Sequence, residues 1–79
     1  MTAKQKEALI FDLQFAYERA VRTGDSKYLS DMIKKIHDLL NMMFDMHVIP
    51  DYKTVDKIRT EVYTTATNYY KEHAAEWAA

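Results

Sequence analysis

Residues 28–46 read YLSDMIKKIHDLLNMMFDM, and the spacing of the apolar residues within them decides the fold. Leu29, Ile36 and Met43 stand seven apart, as do Met32, Leu39 and Met46; Ile33 and Leu40 widen the band. Lys27, Asp31, Lys34, Lys35, Asp38, Asn41 and Asp45 occupy the positions between. An apolar repeat of this period forms one stripe along an α-helix. Such a stripe must be covered by other helices, either of this chain or of a second one. Within the polar face, Asp31 and Lys35 have the order and spacing of a favourable ion pair one turn apart.

On the N-terminal side, Thr2 and Gln5 have the spacing of a capping box, so a first helix is predicted to start at Thr2. Leu9, Leu13, Ala16, Tyr17 and Ala20 recur along one face of it, with Ile10 and Val21 on the flank. Gly24 supplies a left-handed C-terminal cap, and Asp25 or Ser26 caps the helix that follows. The turn is short enough to force the two helices to lie antiparallel.

On the C-terminal side, His47-Val48-Ile49-Pro50 forms a connection, because a proline disfavours helix in the residue before it. Asp51 is placed to cap a third helix running from about Tyr52 to Trp77. Val55, Ile58, Val62, Ala66, Tyr69 and His73 form its inner stripe; Tyr52, Arg59, Tyr63, Tyr70 and Trp77 form a second line beside it. The expected architecture is all-α: a three-helix antiparallel (up-down-up) bundle in a single domain, able to self-associate into a larger helical bundle.

Composition limits the function. Seventy-nine residues make one small domain, near the size at which oligomerisation often supplements a thin core. One Gly and one Pro leave little material for the turns of a sheet. Without Cys, neither a disulfide nor a thiolate metal site is possible. Eleven basic and twelve acidic side chains give a net charge of −1, which offers nucleic acid and anionic lipid no footprint. No stretch has the apolar run of a signal peptide or a membrane span, so a cytoplasmic protein is expected.

The chemistry-bearing residues are sparse. His37, His47 and His73 stand in no pair with helical metal-ligand spacing. The carboxylates lie scattered along polar faces, and the single Gly rules out a phosphate loop. Neither catalysis nor a cofactor is expected. Lys53, Lys57, Asn68 and Lys71 run down one side of the third helix, but Glu61 and Glu72 border them, so a solvated face is expected there rather than a nucleic-acid reader.

Interaction surfaces are the remaining reading. Phe11 and Phe15 point away from the first helix's core face, among Lys4, Glu7, Glu18 and Arg22. A monomeric bundle needs only one face of each helix, so two outward phenylalanines suggest the centre of an interface, with Glu18 and Arg22 as its charged surround. Their burial alone would supply about 3–5 kcal/mol before the cost of association. Arg59, Tyr63, Tyr70 and Trp77 form a second candidate strip, of residue types enriched where binding energy concentrates. Four of the five methionines (Met32, Met42, Met43 and Met46) lie on the second helix, where this residue suits both gap-filling and adaptable binding surfaces. The expectation is a small non-enzymatic protein-interaction module that regulates or inhibits a partner by occupying its surface. The alternatives are a structural homo-oligomer and a weak nucleic-acid binder. Small cysteine-free helical chains include inhibitors, immunity factors and phage-encoded modulators, an analogy of size and class alone.

Overall fold

The computed structural model describes residues 1–79 as α1 (Ala3–Thr23), α2 (Lys27–Asp45) and α3 (Tyr52–Ala78), with no strands. Each helix begins where a side chain can satisfy its unpaired amides. The Gln5 amide donates to Thr2 Oγ1 (3.1 Å), and the Thr2 amide donates to Gln5 Oε1 (2.9 Å), closing the capping box. At α2 the cap is Asp25, whose carboxylate accepts from the Lys27 amide at 2.9 Å; the Ser26 side chain makes no capping bond. At α3 both the amide and the hydroxyl of Thr54 donate to Asp51, at 2.7 and 2.8 Å.

Two residues stop helices by turning left-handed. Gly24 does so at φ 72° without penalty. His47 does so at φ 60°, and completes a Schellman motif: its amide donates to the Phe44 carbonyl (3.0 Å) while the Val48 amide donates to that of Met43 (2.9 Å).

Leu13, Ile36, Leu40, Val55, Val62 and Ala66 are fully buried and form one aliphatic core drawn from all three helices. Ile49 joins them at 1% exposure, so the connection between α2 and α3 acts as a plug under the bundle. No polar or charged residue is buried. The core is thin: only 9 of 79 residues are buried, and the molecule measures 44 × 21 × 18 Å. Its radius of gyration, 13.4 Å, exceeds the roughly 12 Å of a compact chain this long.

The length comes from α3. Its 27 residues against 19 in α2 leave about 12 Å of helix with no α2 alongside. At its C-terminal end the aromatic residues close on one another. Trp77 stacks on His73 (5.9 Å, 18°) and meets Tyr69 at 5.7 Å, while Tyr70 packs on Tyr17 of α1 at 5.0 Å.

Candidate protein-docking face

The two flanks of α2 are built differently. Toward α3, polar groups reach across the seam. Arg59 donates to His37 Nδ1 at 3.2 Å and pairs with Asp56 on its own helix; the Asn41 amide lies 3.0 Å from His37 Nε2. The Tyr63 hydroxyl donates to the Ile33 carbonyl (3.4 Å), and burial pushes that phenol above its ordinary pKa of 10.0. Arg59 and Tyr63 therefore act as clasps within the bundle and are half-buried.

The strip expected from the sequence is not continuous at the surface. Trp77 is a correction: it is only 5% exposed, because its neighbours on α3 fold over it, and its ring is not available to a partner. Tyr70 is half-buried against Tyr17. Tyr17 in turn shares a hydrogen bond with Thr67 at 3.2 Å.

Toward α1 the flank of α2 is apolar and open. A groove of about 380 Å³ lies between the N-terminal half of α1 and the C-terminal half of α2, lined by Met1, Leu9, Leu39, Met42, Met43 and Met46. Val48 and Ala8 complete its apolar wall, and Gln5 is its one polar residue. A second hollow of about 320 Å³ continues along the same seam, sharing Leu9 and Leu39 and adding Asp12, Met32, Lys35 and Ile36. Small-molecule sites orient their ligands with convergent polar groups. A methionine-lined trough with a single amide instead suits apolar side chains of a partner.

Phe11 and Phe15 extend this surface outward. Phe11 is 69% exposed, one turn beyond Ala8. Phe15 does not stack on it; that ring leans to α2 and meets Tyr28 edge-on at 6.3 Å, while the Arg19 guanidinium caps Tyr28 at 4.9 Å. Met46 is a second correction. Its heptad position predicts burial, yet it is 64% exposed: α2 ends at Asp45, and Met46 is its C-cap residue, one turn past Met43, which packs against the core. Met42 is exposed as well.

The rim of the face carries both signs of charge. Arg22 pairs with Glu18 at 3.0 Å, and Lys4 and Glu7 stand two turns or more toward the N-terminus. Asp31 and Lys35 of α2 do not close the ion pair their spacing predicts. They contribute opposite charges to the same exposed flank. On the remaining side of the molecule, Lys53, Lys57 and Thr64 lie among Asp56 and Glu61, and Glu61 is tied to Lys6 at 2.9 Å. No helix is long and apolar enough to cross a membrane.

The comparisons with known proteins add no relative: no family model, curated protein or solved structure matches this chain.

Proposed function

We propose that this chain is a small non-enzymatic interaction module, a regulator or inhibitor that lays its α1–α2 face on a protein surface. One observation carries the reading: six of the eight exposed large apolar side chains stand on the outer side of α1 (Phe11, Phe15) and on the neighbouring flank and end of α2 (Tyr28, Met42, Met46, Val48). Together they bare on the order of 600 Å², taking roughly 200 Å² for a fully exposed large side chain. At about 25 cal/mol per Å², covering that area yields roughly 15 kcal/mol. Association itself costs about 4–15 kcal/mol, so the balance suits reversible docking. The flexible methionines set a shape that adapts to its target, and the mixed-charge rim sets its orientation.

The helix arrangement proposed to support this face is up-down-up. It is supported by the order of the cross-links, since Lys6 meets Glu61 and Tyr17 meets Thr67, whereas His37 meets Arg59 and Ile33 meets Tyr63. Nucleic acid fits the chain poorly, because its lysines are interleaved with carboxylates and its net charge is −1.

A photo-reactive phenylalanine at position 11 or 46 tests the face, with one at Thr64 as the control. Cross-links to polypeptide are expected from positions 11 and 46 and not from 64. Equal labelling from all three positions would sink the assignment.

A further inference from the structure

We propose that, when no other protein is bound, the α1–α2 face is covered by a second copy of this chain, related by a two-fold axis level with Phe11. This rests on the reading of that face as the docking surface, and names its occupant. A symmetric pair needs a surface complementary to itself, in which residue i meets j wherever j meets i. Both helices of the face meet that requirement in one register.

With α1 laid antiparallel on its copy and Phe11 on the axis, the two Phe11 rings meet. Lys4, seven residues before Phe11, then faces Glu18 of the partner subunit, seven residues after it. Symmetry makes that pair twice. Sliding the helices to set Phe11 against Phe15 of the partner subunit instead brings Lys4 onto Arg22 of the partner subunit, a like-charge contact, and Glu7 onto Arg19 of the partner subunit, an opposite-charge one. That register gains no net charge pairing, whereas the Phe11-centred one gains the Lys4–Glu18 pair twice.

The same axis can be carried across to α2. Leu9 and Leu39 share both hollows of the seam, and Asp12 shares one with Ile36, so the level of Phe11 falls at residue 37. Met46, nine residues after that level, faces Tyr28 of the partner subunit, nine before it; Met42, five after, faces Met32 of the partner subunit. Asp38 comes beside Lys35 of the partner subunit. On α2 the exposed Met46 and Met42 thus cover Tyr28 and the half-buried Met32 of the partner subunit. On α1 the Phe11 rings meet and Lys4 meets Glu18 of the partner subunit, while Phe15 lies against Glu7 of the partner subunit.

The size agrees. The bared apolar area, on the order of 600 Å², together with its charged rim approaches the roughly 800 Å² per partner of a standard interface. Self-association and docking of another protein then compete for one surface, so the dimer is the resting form and the monomer the active one.

Sedimentation equilibrium of the full chain from about 1 µM to about 1 mM tests this, with far-UV circular dichroism confirming that each variant stays helical. The wild type is expected to dimerise. Lys4→Glu and Glu18→Lys, each alone, put like charges together at both ends and should weaken the dimer about tenfold or more. An equimolar mixture of these two variants should dimerise again, because opposite charges then face each other at both ends. A wild type that stays monomeric throughout overturns the second copy and leaves the docking face standing. A dimer indifferent to Lys4→Glu, Glu18→Lys and Phe11→Asp forms through another surface and likewise overturns the pairing, while the docking face itself is judged by the cross-linking from positions 11 and 46.

Discussion

The two flanks of α2 solve the same packing problem in opposite ways. Against α3, the seam is closed by groups with direction: the Arg59 guanidinium on His37 and the Tyr63 hydroxyl on the Ile33 carbonyl. Such bonds hold only at one register, and the aliphatic residues beneath them are fully buried. Against α1, the seam holds leucines and methionines whose contacts have no direction, and its outer half stays wet. Directional polar contacts fix a fold's geometry, while undirected apolar ones can be exchanged for a partner's. One helix is therefore fastened by directed bonds on one side and left with an open apolar flank on the other.

That contrast can be broken by mutation. Leu40→Ala, at a position with no exposure, should cost about 2–5 kcal/mol, much of the stability of a chain this small. Met46→Ala on the open flank should change stability by no more than about 0.5 kcal/mol. Urea titrations of the two variants measure the difference, and equal losses would erase the distinction between the flanks.

The clasped flank should also respond to alkali. The Tyr63 phenol is held above its ordinary pKa by burial, so it stabilises the fold below about pH 10 and loses that contribution as pH rises through its folded value. Melting temperatures between about pH 9 and pH 11.5 should fall more steeply for wild type than for Tyr63→Phe. Parallel curves would show the phenol to be immaterial.

Where α2 ends, His47 holds a left-handed conformation that Gly adopts freely. His47→Gly should raise stability by about 0.5–1 kcal/mol in the same urea assay, sharpening the stop without touching either flank. A lower midpoint would mean that the imidazole contributes more than its backbone strain costs.

The smallest effect concerns the start of α3. The hydroxyl and then the amide of Thr54 hold the Asp51 carboxylate below its usual pKa, so the cap stabilises the fold above about pH 4 and fades as pH falls through the folded value. Asp51→Asn keeps a capping oxygen but cannot titrate. Its stability should fall less between about pH 5 and pH 2, and a wild-type slope in the variant would remove the carboxylate from the account.

Helix limits were legible because caps are local chemistry: Thr2, Gly24 and Asp51 act where the sequence places them. The lateral position of the stripe was not. A band of apolar residues as wide as that of α2 has more surface than α1 and α3 can cover, and periodicity cannot tell which edge stays out. Met43 is packed against the core while Met46, one turn on, is bare. Ile49 was hidden for another reason: a residue before a proline reads as a connector, and only the closed bundle shows it filling the base. The line through Tyr63, Tyr70 and Trp77 flanks the inner stripe and reads as a partner-facing strip; only the structure shows Trp77 covered by Tyr69 and His73 at the end of α3.

That end has an optical consequence. Trp77 is the only tryptophan, and it sits on the last turns of the longest helix, stacked on His73 and beside Tyr69. Indole emission from this protein therefore reports the tip of α3, far from the methionine trough at the opposite end of α2. Fluorescence would register fraying of that tip while staying blind to events at the trough, and the two ends can be followed separately in one sample.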